Sequence, residues 1–305
     1  MSYEKEMLEK YNMPARLEVE EALLKVLFKH NGIIKEFSSD EDIVEQLACV
    51  FALNEEQRKA ILERTYFKEN RIVKSPLWHR LLYRAASNLS SKKLITNPAT
   101  THFLTNKKEW MLTEEGYDRA LELLNIPVFQ KEILPVKSYE VQKEIKNIIE
   151  IERDEDYNPI TPIKTVQKVT RETKIRQRGF RQAVIEAYNY QCACCGLKLK
   201  SPNSTAWEVQ AAHIVPHSFN GKDDILNGLA LCRLHHWAFD VGWFTLQNNL
   251  SVKISSQINL LSPDFNRIYA NVFLQEDKTI ILPNNPNIYP HENAIRWHRE
   301  NIFYP

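Results

Sequence analysis

The tightest constraint in this chain is a doubled knuckle of soft ligands. Cys192-Ala193-Cys194-Cys195-Gly196 holds a Cys-x2-Cys pair, and Cys232-Arg233-Leu234-His235 holds a Cys-x2-His pair well downstream. Each tight turn offers two soft or borderline donors to one ion, so two such pairs meet the requirement of a tetrahedral structural zinc site. The two segments must then fold back on one another. The expected ligands are Cys192, Cys195, Cys232 and His235, with Cys194 at the wrong spacing and pointing away. Five cysteines in 305 residues are too few for a disulfide scaffold. Three of them crowd together, which in a reducing compartment suits metal ligation.

A chain of this length exceeds what one hydrophobic core usually serves, so two domains and a linker are expected. An apolar fraction of 43% and a charged fraction of 26% exclude disorder throughout. The first residues, MSYEKEMLEK, carry no apolar signal core, and no stretch approaches the roughly 18 apolar residues of a membrane span. A cytoplasmic protein without a membrane partner is expected. The net charge of +1 gives no global sign of a polyanionic partner, so local charge must carry that argument.

From Leu17 to Asn31 the apolar residues fall mostly at helical spacing, and Asn31-Gly32 supplies a stop. Ile33 to Phe37 reads as a strand. Ser39 is placed to cap a second helix with Asp40, Glu41 and Asp42 in its first turn. A third helix is expected after Asn54, turning Ile61 and Leu62 inward. Ser75-Pro76 opens a fourth, running through Trp78, Leu81, Leu82 and Ala85 to about Ser90. Strands follow near Leu94–Thr96 and Glu109–Leu112, separated by the polar stretch from Asn97 to Lys108. This order is that of a winged helix. The fragment Trp110-Met111-Leu112-Thr113-Glu114-Glu115-Gly116, with the block from Asn70-Arg71 to Leu94-Ile95, resembles the N-terminal domain of Mrr-type restriction proteins. That resemblance implies a DNA-recognition domain over residues 1–132. Lys74, His79, Arg80, Arg84, Lys92, Lys93, Lys107 and Lys108 would then be phosphate contacts.

Residues 133–173 lack a sustained apolar period and hold an acidic cluster (Glu150, Glu152, Asp154, Glu155, Asp156), then Pro159 and Pro162. They read as a solvated or partly helical linker. Lys164, Lys168, Arg171, Lys174, Arg176, Arg178 and Arg181 then stand against the single acid Glu172, a patch suited to tracking a nucleic-acid backbone.

Between and beyond the knuckles run Val209-Gln210-Ala211-Ala212-His213-Ile214-Val215-Pro216, then Asn227-Gly228-Leu229-Ala230-Leu231, then His236-Trp237-Ala238-Phe239-Asp240. In order, His213, Asn227 and His236 spell histidine, asparagine, histidine, and residues 174–305 resemble an HNH nuclease. The flanks agree: Arg176 to Cys192 is similar to the helix that enters that module, and Tyr289-Pro290 to Phe303 to its closing helix. The implied fold is α+β, a winged helix followed by a ββα-metal nuclease module with a zinc knuckle pair. On the helix after the second strand, His236 and Asp240 are four residues apart and can share one divalent cation. Mg2+ is expected from availability, with Mn2+ or Ni2+ as alternatives at a histidine-containing site. His213 would act as general base, with Asn227 orienting its ring by a hydrogen bond. Many HNH nucleases carry a further ligand just before the base, where this chain has Ala212. His217, His291 and His298 fit no ligand spacing and read as structural.

The expected activity is a restriction or defence endonuclease on duplex DNA, with dependence on a modified base as an option. It is expected to form a homodimer at least on DNA. A nicking or homing-type nuclease, or a DNA-binding regulator that has lost catalysis, are the alternatives. The recognition sequence is not legible, because it depends on which side chains the fold aims into a groove.

Overall fold

The computed structural model describes residues 3–38, 40–66, 71–162, 171–202, 206–260, 262 and 276–305, with the backbone alone at 64–66 and 71–73. The chain divides into two compact units, Met1–Lys131 with Val136–Glu140, and Glu132–Pro135 with Val141–Pro305. No helix among the described residues is long and apolar enough to cross a membrane.

In the first unit α1 (Tyr3–Lys10) precedes α2 (Arg16–Lys29). The helical spacing of Val19, Leu23, Leu24 and Leu27 makes a buried stripe on α2, while Leu17 in its first turn is exposed. Left-handed backbone at Asn31 and Gly32 ends the helix and releases the chain into β1 (Ile33–Lys35). Asp40 caps α3 (Glu41–Val50), its carboxylate accepting from the Ile43 N–H at 3.4 Å. Ser39, the expected cap, lies outside the described residues, as do Asn70, Lys164 and Lys168.

The third helix begins after Asn54 as predicted, but α4 (Glu55–Lys59) is short. Ile61 and Leu62 belong instead to β2 (Ile61–Tyr66), paired antiparallel with β3 (Arg71–Pro76). The period of two buries Leu62 and exposes Ile61, where a helix would have turned both inward. α5 (Leu77–Ser91) follows with Pro76 at its N-cap, and Ser75 stays in the hairpin opposite Leu62. It buries Trp78, Leu81, Leu82, Ala85 and Leu89, and packs on α2.

β4 (Ile95–Thr96) leads into a second departure, because the polar stretch from Asn97 contains α6 (Pro98–Thr105). Asn97 caps it, accepting from the Thr100 N–H at 2.9 Å with Pro98 in the first turn; both signals were present in the sequence. β5 (Glu109–Leu112) and α7 (Glu114–Leu123) complete the unit. The sheet order is β1-β5-β4, all antiparallel, and the central strand buries Trp110, Met111 and Leu112.

In the second unit, α8 (Tyr139–Ile149) contributes Val141, Ile145 and Ile148 to the core. This region was expected to be linker. Its three apolar residues form a single stripe that the dense charge around them obscured. Tyr157, beyond the acidic cluster, is also buried and donates to Asp224 Oδ1 at 2.7 Å.

α9 (Arg171–Ala187) lays Phe180, Ala183 and Val184 across two antiparallel strands, β6 (Val209–His213) and β7 (Gly228–Cys232). Gly228 is required by this close approach, since a Cβ there would stand 2.5 Å from Val184 Cγ2 and 3.1 Å from the Phe180 ring. α10 (Arg233–Asp240) follows β7 directly, giving a strand, strand, helix unit. The hairpin of β8 (Phe244–Leu246) and β9 (Val252–Ile254), with the closing helix α11 (Glu292–Asn301), packs beyond it. His298 on α11 is fully occupied: its ring stacks on Phe239 at 3.7 Å, Nε2 donates to the Phe239 carbonyl, and Nδ1 meets Thr245 Oγ1 at 2.9 Å.

Candidate active site

The knuckles converge. The ligand atoms of Cys192, Cys195, Cys232 and His235 all lie within 4.8 Å of one another, a donor set that could bind zinc. Cys232 Sγ is 3.0 Å from His235 Nδ1, and Cys192 Sγ is 3.6 Å from it. The first knuckle is tied to β7 by the Ala193 N–H donating to the Ala230 carbonyl at 2.8 Å. Cys194 is outside the group of four but does not point wholly away. Its hydrogen bond with Cys192, together with burial, pushes its thiol pKa up.

His213 closes β6 opposite Gly228. Its ring is stacked on Phe180 at 4.0 Å and tilted against His217 at 4.2 Å. Burial pushes its pKa below the usual imidazole value, against the hydrogen bond to Asp223 that works to raise it. That environment favours the neutral imidazole over the charged one. Its Nε2 is 3.0 Å from Asp223 Oδ1, and His217 Nε2 is 2.9 Å from the same oxygen. Arg176 Nε, from α9, donates to Asp223 Oδ2 at 3.0 Å. Burial alone would raise the Asp223 carboxyl, but the hydrogen bonds from His213 and His217 hold it well below the ordinary carboxylate range.

Asn227 is fully buried and does not touch the His213 ring. Its Oδ1 accepts from the Val215 N–H at 2.8 Å, and its Nδ2 donates to the Val215 and Lys222 carbonyls at 3.1 and 2.9 Å. It thus pins the loop after His213. The expectation that it orients the imidazole directly is corrected: Phe180 and Asp223 touch the ring. His217 is likewise not a bystander, since His213, His217 and Asp223 form a second cluster of potential ligands. The spacing of Asp223 and His217 gave no signal. His217 follows a proline in a short turn, and Asp223-Asp224 offers two adjacent acids with nothing to say which faces the histidines.

His236 and Asp240 share one face of α10, with Nε2 and Oδ2 3.4 Å apart, and His236 Nδ1 meets Gln210 Oε1 at 2.9 Å. Burial pushes the Asp240 carboxyl above its ordinary value. Ala212 is fully buried opposite Leu229. The position is part of the core.

A cleft of about 370 Å³ opens beside His213, lined by Lys174, Arg178, Arg181, Phe180, Ala211 and His217 among others. The predicted phosphate contacts separate into groups. Arg171 and Lys174 are exposed on α9, whereas Arg178 is buried with Nε 3.8 Å from Glu132 and Arg176 is held by Asp223. In the first unit Lys107 and Lys108 are exposed and His79 is half-buried. Arg80 and Arg84, however, each direct Nε at the buried carboxylate of Glu4, at 2.8 and 2.6 Å. Their sequence spacing could not reveal a partner 76 and 80 residues away.

Residues 192–247 match the family model described as HNH endonuclease. No curated protein sequence matches the chain. Among solved structures the chain is similar to one titled "Modification dependent TagI restriction endonuclease", at 22% identity and a TM-score of 0.30. That match covers 40% of this chain and 37% of the other. His213, Asn227, His236, Asp240 and the four knuckle ligands all fall within the stretch that matches the HNH endonuclease model.

Proposed function

We propose that this chain is a cytoplasmic, restriction-type endonuclease that hydrolyses phosphodiester bonds in duplex DNA. The observation that carries the reading is the ring-stacked His213 at the wall of a cleft that Lys174 and Arg181 also line, with the His236–Asp240 pair on the neighbouring helix. His213 takes a proton from the attacking water, Lys174 and Arg181 favour the phosphodiester, and Asn227 keeps the loop after the base in place. His236 and Asp240 are an imidazole and a carboxylate at four-residue spacing, a donor set that fits Mg2+, Mn2+ or Ni2+. When bound there, the ion supplies charge neutralisation at phosphorus and stabilises the leaving oxygen. Cys192, Cys195, Cys232 and His235 hold zinc as a structural brace.

The antiparallel sheet order β1-β5-β4 and the helices ahead of β4 support reading the first unit as a winged helix, one with a hairpin before α5 and a helix, α6, between its last two strands. We read it as the DNA-recognition domain, with His79, Lys107 and Lys108 as backbone contacts, since Arg80 and Arg84 are engaged by Glu4. Selection of a modified base belongs to this unit in the same reading. Incubating a supercoiled plasmid with Mg2+ or Mn2+ tests the activity. Wild type is expected to cut, and His213→Ala to lose roughly 10²–10⁴-fold in rate; a variant that cuts as fast as wild type removes His213 as the base.

A further inference from the structure

We propose that Asp223 is a positioning residue that fixes His213 as the Nε2–H tautomer, so that the Nδ1 lone pair is the one offered to water. The inference rests on the reading of His213 as general base and adds the group that makes it one. Asp223 has a side chain only 2% exposed and both oxygens in use: Oδ1 faces His213 Nε2 at 3.0 Å and His217 Nε2 at 2.9 Å, and Oδ2 accepts from Arg176 Nε.

An ionised carboxylate can only accept. A neutral imidazole that approaches one of its oxygens through Nε2, as His213 does, must therefore carry its proton on Nε2, which leaves Nδ1 as the acceptor. The Phe180 stack fixes the plane of the His213 ring, and the carboxylate fixes its rotation within that plane. Asn227, bonded to the backbone of Val215 and Lys222, supplies neither restraint. Arg176 neutralises the buried charge and holds the carboxylate from α9, which also carries Phe180. One helix thus delivers the ring stack and the cation that holds the orienting carboxylate.

The test uses the full-length protein, with long-range ¹H–¹⁵N spectra of the imidazoles read beside plasmid cleavage for wild type, Asp223→Asn and Asp223→Ala. Wild-type His213 is expected as the Nε2–H tautomer. Asp223→Ala is expected to show mixed tautomers and a kcat lower by roughly a hundredfold or more, with KM for DNA within a few-fold. Asp223→Asn keeps an acceptor oxygen and is expected to fall between; if the alanine variant does not fold, the asparagine variant carries the test. An unchanged tautomer, or a loss confined to KM, overturns the proposal. So does calorimetry showing that Mn2+ binding disappears with Asp223, because the three residues would then be ion ligands. If His213→Ala cuts normally while the tautomer still follows Asp223, the base assignment fails and the orienting contact stands; the converse result sinks the orienting contact alone.

Discussion

Asn227 and Asp223 lie four residues apart and divide a task that a motif assigns to one of them. The amide satisfies three backbone groups, and the carboxylate meets the imidazoles. His213, Asn227 and His236 stood out by type and order, because the chemistry expected of them admits few residue types, and all three lie in the stretch that matches the HNH model. Asp223 and His217 were not, because their contact depends on how a loop closes, and no periodicity encodes that. His298, expected to be structural, is buried with both ring nitrogens engaged. Burial depresses its pKa to about 4. The unfolded imidazole titrates near 6.5, so the unfolded state binds the proton first as pH falls. Its contribution is intact above pH 6.5 and is lost progressively down to about pH 4, by roughly 3 kcal/mol in all. Urea unfolding of wild type and His298→Gln at pH 7, 5.5 and 4 should show that added slope in wild type only; parallel profiles would refute it.

Elements were easiest to foresee where apolar spacing was long and regular, as in α2 and α5. They were missed where the signal was short. β2 and β3 follow a helix of five residues, and α6 was passed over although Asn97 and Pro98 announce it. The knuckle pair was the most legible feature, since its geometry is dictated by ligand chemistry. It links the segment before β6 to the start of α10, the helix that carries His236 and Asp240. Elemental analysis is expected to find about one tightly held zinc per chain. Cys195→Ser should lose it, together with cooperative melting of the second unit, since ion-linked folding is worth on the order of 10 kcal/mol in small zinc modules. A metal-free wild type that melts normally would remove the zinc assignment.

At the scale of the whole molecule, the proposed mechanism gives each chain one base and one His–Asp pair among the described residues, enough to cut one strand at a time. Scission of both strands then calls for two copies, and light scattering on a specific duplex is expected to report a dimer of the chain. Monomers on fully cut duplex would contradict this. The division into two units was anticipated from length, yet the stretch expected to be linker supplies core residues of the second unit at Val141, Ile145 and Ile148. Charge density there masked a buried stripe.

The partition of residues 132–140 has a practical corollary. Glu132–Pro135 counts with the second unit and Val136–Glu140 with the first. The Lys137 N–H reaches back to the Asn31 carbonyl, Glu140 accepts from the Glu114 N–H, and Glu132 lies toward Arg178. The polypeptide passes from one unit to the other three times within a few residues, so no single cut yields two whole pieces. Anyone wishing to move the second unit into another chain must therefore carry residues 132–140 across with it.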